Sequence, residues 1–206
     1  MGLIRRLKEI KWDLCSRRFL YIQAVLSWIP SRTGYDIRAW FYRRWLKSLG
    51  ERTWLMEGLY IRNPKQLSIG NRCTIGVGVR LQAAGGLTIG DYVIVGPGAS
   101  IWTSNHLFSD SDKPIRDQGQ EYKEVIIGDD VWIGANVFVM PGAHIPKGCV
   151  ISAGSIVAAK RYKEFSILAG NPARVIGYRG KDRKPAERPS EISTQDDLPK
   201  PLDRQP

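Results

Sequence analysis

The central part of the chain repeats an aliphatic residue at every sixth position. The repeat runs through three sets of positions, the second two residues out of phase with the first: Ile69, Ile75 and Leu81; Ile89, Val95 and Ile101; and Ile127, Ile133, Val139, Ile145, Ile151 and Val157. A mostly small residue follows four positions after each aliphatic one. A period of six fits neither an α-helix nor one long alternating strand. It predicts short strands separated by turns, three to a coil of about 18 residues, stacked over an aliphatic interior.

The first fifty residues show helical spacing instead. Apolar residues three and four apart predict one helix over residues 2–29 that ends at Pro30, and a second helix that Gly50 closes. This segment, placed at residues 1–56, has 11 basic and 3 acidic side chains in its first fifty positions, whereas the whole chain carries a net charge of +11. The first fifty residues also hold four of the seven tryptophans. Basic, aromatic helices favour peripheral contact with an anionic membrane; packing on the body or on a sister subunit is the alternative. Nucleic acid is not expected, because no binding motif accompanies the charge.

Composition sets the compartment and the cofactor class. With 43% apolar residues the chain can form a core, and its three cysteines show no paired spacing, which favours a reducing compartment. The sequence contains no run of about 18 uncharged apolar residues, so no membrane span is predicted. We therefore expect a cytoplasmic protein, in peripheral contact with the inner face of the membrane. Two histidines are too few for a three-histidine zinc site, so no metal is expected.

The repeat is interrupted once, from Leu107 to Glu124. A long loop that leaves a rigid solenoid is a common location for function. His106 lies directly before it, and an imidazole suits removal of a hydroxyl proton near neutral pH. Asp110 or Asp112 could orient the imidazole or could be solvated loop carboxylates. His144 holds the same place in its own repeat without a loop beside it, so we expect it to be merely exposed.

The repeat resembles the left-handed parallel β-helix of the hexapeptide-repeat acyltransferases, over residues 57–178. The strings Ala-Gly-Asn-Pro-Ala-Arg-Val-Ile at 169–176 and Val-Trp-Ile-Gly at 131–134 are similar to signatures of the sugar O-acetyltransferase branch. The segment Asn-His-Leu-Phe-Ser-Asp at 105–110 is similar to the loop of polysaccharide O-acetyltransferases. The resemblance implies an all-β fold, a left-handed parallel β-helix with a helical segment in front and the loop 107–124 at the site.

The resemblance also implies roles for individual residues. His106 would be the catalytic base, and Asn105 and Asp110 would contact the substrate. Acetyl-CoA would be the co-substrate, and its contacts would be the pocket wall Trp132, the oxyanion-binding amide of Ala135, the pantetheine contact Ala153, and the basic residues Lys160 and Arg174. Lys160 departs from the family pattern, because the expected threonine-lysine pair is replaced by Ala158-Ala159-Lys160 with one extra residue. The family further implies a homotrimer.

These features predict an acetyltransferase that moves acetyl from acetyl-CoA to a sugar hydroxyl, in cell-surface polysaccharide or lipid-linked glycan biosynthesis. Transfer would be direct, because the sequence shows no suitable serine or cysteine beside the base. Two alternatives stay open: an N-acyltransferase acting on an amino sugar nucleotide, and a non-catalytic β-helix that serves as a scaffold. Residues 179–206, rich in proline and charge, are predicted to be a disordered tail.

Overall fold

The computed structural model describes residues 18–180. The predicted helix over residues 2–29 is therefore described only in part, and residues 181–206 of the predicted tail lie outside the described residues. Two α-helices come first, α1 (Arg18–Leu26) and α2 (Ser31–Tyr42). No helix within residues 18–180 combines the length and apolar character that a bilayer crossing requires.

Short strands make up the rest. Sheet A, sheet B and sheet C name the three sheets of the coil. Sheet A contains β1 (Ser48–Leu49), β4 (Leu67–Ile69), β7 (Leu87–Ile89), β12 (Val125–Ile127) and β15 (His144–Ile145). Sheet B contains β2 (Trp54–Leu55), β5 (Thr74–Ile75), β8 (Ile94–Val95), β13 (Trp132–Ile133), β16 (Val150–Ile151), β18 (Ser166–Ala169) and β19 (Arg174–Tyr178). Sheet C contains β3 (Tyr60–Arg62), β6 (Arg80–Gln82), β9 (Ser100–Trp102), β14 (Phe138–Val139) and β17 (Ile156–Val157).

Successive strands enter sheets A, B and C in turn, so the chain winds as a three-sided coil. Strands β1 to β9 and β12 to β18 pair in parallel with the strand one coil away, whereas the last strand, β19, runs antiparallel to its neighbour β18. Ile75, for example, lies opposite Val95, which lies opposite Ile133. These aliphatic residues are buried, and all positions of the six-residue repeat fall in one continuous core. The predicted coil and its aliphatic interior are therefore confirmed.

Close stacking explains one recurrent glycine. A side chain at Gly134 would place its Cβ 2.6 Å from the amide nitrogen of Ala153 in the next coil, closer than real Cβ atoms approach. Glycine is needed here because neighbouring corners touch through their backbones.

Extra residues at one corner produce the phase shift of the repeat. Between sheets C and A the first coil inserts a 3₁₀ turn, Pro64–Gln66, and the second coil inserts a turn around Gly86, whose φ is +94°. The third coil leaves the same corner to form the long excursion. The C-to-A corner is thus the place where this chain adds sequence.

The coil begins earlier than the predicted boundary at residue 57. Ser48 and Leu49 pair with Ser68 and Ile69 as the first strand of sheet A, so α2 ends at Tyr42 and does not continue to Gly50. The spacing of Leu49, Leu55 and Ile61 already extends the six-residue period backwards. The prediction of helix up to Gly50 was wrong because Leu49 fits both the helical spacing of three and four residues and the six-residue period of the coil.

The two helices cover the open end of the first coil. Phe19 of α1 packs against Phe41, Tyr42 and Trp45, with ring centroids 5.3 to 6.0 Å apart. Gln23 satisfies the exposed backbone edge of β3: its Oε1 accepts from the Ile61 amide at 2.8 Å. At this end of the molecule, side chains of the helices therefore replace the missing preceding coil.

Arg38 fastens the helices to the coil. It is fully buried and donates to three carbonyl oxygens: that of Leu26 at the end of α1, that of Ile29 between the two helices, and that of Leu55 on β2, at 2.9, 2.7 and 2.6 Å. Burial lowers the pKa of the guanidinium, and the carboxylate of Glu57 opposes that shift. One side chain thus ties α1, α2 and the first coil together.

Candidate active site

The interruption of the repeat is a β-hairpin. Strand β10 (Ser104–His106) pairs antiparallel with β11 (Gln120–Tyr122), and His106 lies opposite Gln120. The tip between them contains a 3₁₀ turn, Ile115–Asp117. Part of the predicted loop 107–124 is therefore ordered as strand, and this holds His106 in a defined position.

A buried polar network fixes the base of the hairpin. The Gln82 Oε1 accepts from the backbone amide of Thr103 at 3.1 Å, and its Nε2 donates to Ser104 Oγ at 2.7 Å. The hydroxyl of Thr103 donates to the carbonyl oxygen of Gln82 at 2.8 Å and accepts from the Gly85 amide at 2.8 Å. Because Thr103 is fully buried and its polar groups are paired, the strand that carries His106 leaves the coil in a single direction.

His106 lies in a cleft between the hairpin and sheet C. The cleft has a volume of about 610 Å³. Its lining comprises Arg62, Asn63, Gln82, Ala84, Trp102, Ser104, Asn105, His106, Gln120, Tyr122, Phe138, Met140 and Pro141. We call it the imidazole cleft. The imidazole is exposed, and the Trp102 and Phe138 rings stand 6.3 Å apart, so a base faces an aromatic wall.

Two of the predicted substrate residues have different surroundings. Asn105 lines the cleft, and its Oδ1 accepts from the His106 amide at 3.1 Å. Asp110 instead belongs to a turn at the hairpin tip, where it pairs with Lys113 at 3.2 Å and accepts from the Asp112 amide at 3.0 Å. No bond joins Asp110 or Asp112 to the imidazole in the described part of the chain, so neither orients it in a single molecule.

The residues predicted to hold the coenzyme lie on other parts of the coil. Trp132 is exposed on the outer face of sheet B, and Ala135 and Ala153 occupy the corner between sheets B and C. These corners stack through a 2.8 Å bond from the Gly154 amide to the Ala135 carbonyl. Within residues 18–180 the amides of Ala135 and Ala153 have no acceptor, so both are available to a ligand. None of the three residues lines the imidazole cleft.

The two predicted basic contacts lie near the closed end of the coil. Lys160 follows β17 and is exposed, and Arg174 begins β19. Burial raises the pKa of Tyr162, and Arg174 opposes that shift, which places this guanidinium near the phenol. The Tyr162 hydroxyl donates to the Ala158 carbonyl at 3.2 Å. A single chain keeps this basic group apart from His106.

Sequence reasoning missed several cleft residues. Trp102 and Tyr122 are exposed aromatics on the strands that flank the excursion, and that position in the sequence could have identified them. Ser104 also lines the cleft, two positions before His106, so a serine does lie near the base. Its hydroxyl oxygen accepts a hydrogen bond from Gln82 at 2.7 Å, a contact between residues 22 positions apart that no local pattern in the sequence reveals.

The cysteines occupy inward positions of the coil. Cys73 and Cys149 are buried, and burial raises the pKa of each thiol. A raised pKa disfavours the thiolate that nucleophilic chemistry needs. In residues 18–180 no three His, Cys, Asp or Glu side chains gather in a way that could hold a metal.

Two family models match the chain. The model described as "Bacterial transferase hexapeptide (six repeats)" matches residues 124–159, and "Hexapeptide repeat of succinyl-transferase" matches residues 66–102. WbbJ of Escherichia coli (strain K12), named for an O-acetyl transferase role in lipopolysaccharide biosynthesis, is 32% identical over 146 residues, 57% of this chain and 74% of WbbJ. The chain belongs to the hexapeptide-repeat acyltransferase family.

Further comparisons place it within the hexapeptide-repeat fold. WcaF of Escherichia coli (strain K12), named for an acetyltransferase role in colanic acid biosynthesis, is 28% identical over 155 residues, 75% of this chain and 81% of WcaF. A solved galactoside acetyltransferase in complex with coenzyme A has a TM-score of 0.68 and 25% identity, covering 81% of this chain and 82% of that chain. The chain spans 41%, 31% and 62% of the first three curated relatives it matches. The predicted fold class, a left-handed parallel β-helix with a helical segment in front, is confirmed.

Proposed function

We propose that this chain is an acetyltransferase that moves acetyl from acetyl-CoA to a sugar hydroxyl. The observation that carries the proposal is the imidazole cleft, in which a rigid hairpin presents the exposed His106 beside Trp102 and Phe138. Aromatic faces pack against the apolar faces of sugar rings, and an imidazole has the basicity for a hydroxyl proton. Family membership and the names of WbbJ and WcaF support a role in making surface polysaccharide or lipid-linked glycan.

The reaction requires two proton transfers, one from the acceptor hydroxyl and one to the coenzyme thiolate. His106 removes the proton from the acceptor hydroxyl, and the resulting oxygen attacks the thioester carbonyl of acetyl-CoA. Backbone amides stabilise the oxyanion of the tetrahedral intermediate. As that intermediate collapses, the carbon–sulfur bond breaks, and the coenzyme thiolate takes the proton that the imidazolium holds. Transfer is direct and leaves no acetyl group on the protein.

The complete site forms between copies of the chain in a homotrimer. In one molecule Trp132 and the free amides of Ala135 and Ala153 lie away from the imidazole cleft. A second copy that brings its sheet B against the hairpin would place those groups opposite His106. The exposed apolar side chains of sheet B at Ile94 and Trp132 suit such burial.

The helical segment is proposed to bring the cytoplasmic protein to an anionic membrane. Val25 of α1 and the following Trp28 are among its most exposed apolar side chains. Deleting residues 1–50 would also remove Arg38 and β1, so substitution tests this idea more cleanly. Val25→Ser with Trp28→Ser should weaken binding to phosphatidylglycerol vesicles in a flotation assay, and unchanged binding would contradict the idea.

The main test compares the two histidines, both of which are exposed. His106→Ala should lower the turnover of acetyl-CoA with a sugar acceptor by about 10²–10⁴-fold, the usual worth of a general base. His144→Ala, the matched control on sheet A, should leave turnover unchanged. Acetylated sugar is identified by mass spectrometry, and calorimetry measures acetyl-CoA binding. Near-normal turnover in His106→Ala would end the mechanism, and absence of coenzyme binding in the unmodified chain would end the proposed function.

A further inference from the structure

A second cleft lies at the front end of the molecule, between α2 and the corner that joins sheets A and B. It has a volume of about 770 Å³ and shares no residue with the imidazole cleft. Its lining comprises Arg32, Tyr35, Asp36, Ala39, Arg43, Arg52, Thr53, Trp54, Arg72, Cys73 and Thr74. We call it the arginine cleft. One wall is a single face of α2, and the other consists of the first two coils.

Four guanidinium groups line this cleft against one carboxylate, that of Asp36. Within residues 18–180 none of the four arginines forms an ion pair. Arg43 donates only to the Gly50 carbonyl, at 3.5 Å, and the Arg72 guanidinium lies 5.2 Å from the Tyr92 ring centroid. A cleft lined mainly by one sign of charge concentrates the electrostatic field, so four unpaired arginines around one concave space form a strongly positive site.

Two of these arginines repeat at the same corner of the coil. Arg52 and Arg72 occupy equivalent positions of successive coils, with φ of +53° and +55°. The later coils hold Tyr92, Asp130 and Gly148 at this position, also with positive φ, so the left-handed backbone belongs to the corner itself. The regular stacking of the coils thus places both arginine side chains on one wall of the cleft.

The cleft also has an aromatic side. Tyr35 of α2 stacks on Trp54 of β2, with ring centroids 6.5 Å apart, and Trp54 is 56% exposed. A ligand there can place an apolar or ring-shaped part on the exposed indole while its charged part meets the arginines.

We infer that the arginine cleft binds a phosphate or diphosphate ester. A carboxylate ligand would neutralise only a small part of the net positive charge that four arginines and one aspartate leave, whereas a phosphate or diphosphate ester neutralises more of it. Guanidinium groups bind phosphate oxygens through paired N–H donors. Here they approach from two walls: Arg32 on α2 and Arg43 directly after it form one, and Arg52 and Arg72 on the coil form the other. This inference does not depend on the proposed acetyl transfer.

Calorimetry with inorganic pyrophosphate on the full chain tests it. Arg52→Gln, Arg72→Gln and Arg43→Gln should each weaken binding about tenfold, the size expected for loss of one charged hydrogen bond. Arg52→Lys keeps the positive charge but loses the paired N–H donors of the guanidinium group, so it should weaken pyrophosphate binding less than Arg52→Gln does. Arg80→Gln, an exposed arginine on β6 outside the cleft, is the matched control and should bind as the unmodified chain does.

Two further ligands distinguish the source of the phosphate. A nucleoside diphosphate sugar represents a soluble ester, and vesicles with phosphatidylglycerol in phosphatidylcholine represent a lipid headgroup. Binding of either that falls in Arg52→Gln and Arg72→Gln but not in Arg80→Gln supports the inference and identifies the source. The inference is overturned if the unmodified chain does not bind pyrophosphate, or if the control loses as much affinity as the cleft variants. Thermal unfolding by circular dichroism verifies that each variant is folded.

Discussion

The imidazole cleft and the arginine cleft use the same coil in different ways. In the first, the coil itself opens at the corner between sheets C and A, and a hairpin within the chain supplies the opposite wall. In the second, the coil stays regular, and the packed helix α2 supplies the wall. The first cleft therefore depends on hydrogen bonds at the hairpin base, and the second on how firmly the helices are fastened. Variants that act on one support and not on the other can separate the two.

The largest effect is expected from Arg38→Met. The substitution leaves the carbonyls of Ile29 and Leu55 without their donor and takes one of two donors from the carbonyl of Leu26, and each unpaired buried group is costly. We expect the free energy of unfolding in urea to fall by about 3 kcal/mol. Pyrophosphate binding should be lost along with the position of α2, while acetyl transfer per folded molecule falls much less. Arg44→Met, an exposed change directly after α2, is the control and should change neither pyrophosphate binding nor acetyl transfer. If Arg38→Met lowers pyrophosphate binding and acetyl transfer equally, the two clefts depend on the same support.

Gln82→Met should affect the imidazole cleft alone. It removes the acceptor for the Thr103 amide and the donor to Ser104, at a cost of about 2 kcal/mol in unfolding free energy. Because the strand carrying His106 loses its anchor, kcat should fall while the KM for acetyl-CoA stays the same. Gln82→Glu, which keeps the acceptor, should recover part of kcat. A purely structural role would lower stability in both variants without a change in kcat per folded molecule.

Trp102→Ala tests the aromatic wall beside His106. Loss of a stacking surface should raise the KM for the sugar acceptor about tenfold, with little change in kcat. Trp40→Ala, an exposed tryptophan on α2, serves as the control and should leave KM unchanged. An unchanged KM in Trp102→Ala would mean that the acceptor binds elsewhere in the cleft.

The smallest effect is expected from Ser104→Ala. If transfer is direct, kcat should change by less than about twofold, because Ser104 only accepts a hydrogen bond from Gln82. Ser100→Ala on β9 provides the comparison for a half-buried serine outside the cleft. A loss as large as that of His106→Ala, with an acetyl group on Ser104 detected by mass spectrometry, would replace direct transfer by an acyl-enzyme route.

The sequence predicted the coil well because its signal is local and repeated. Each aliphatic position meets its equivalent one coil away, so the spacing of Ile75, Val95 and Ile133 contains the contact itself. The interruption and His106 were found by the same means, as departures from a strict period. The start at Ser48 was missed because Leu49 fits a helical spacing as well as the period of six.

Neither cleft could be predicted in full, since each depends on contacts between distant parts of the chain. Gln82 and Thr103 are ordinary polar residues until the fold buries them against each other. Arg52 and Arg72 lie twenty residues from each other in sequence, and only stacking of the coils places them on one wall. The predicted coenzyme residues Trp132, Ala135 and Ala153 lie apart from His106 in one molecule, because the cleft that contains His106 is lined by sheet C and the hairpin, whereas these residues lie on sheet B and its corner with sheet C.

The register across the hairpin has a consequence for how this protein could change. Leu87 pairs with Val125 and Ile101 with Val139 as neighbouring coils would without any insertion. The inserted hairpin therefore leaves the stacking of the coils unchanged, and it joins the coil only after β9 and before β12. A different hairpin inserted at the same position could give the same coil a new acceptor preference.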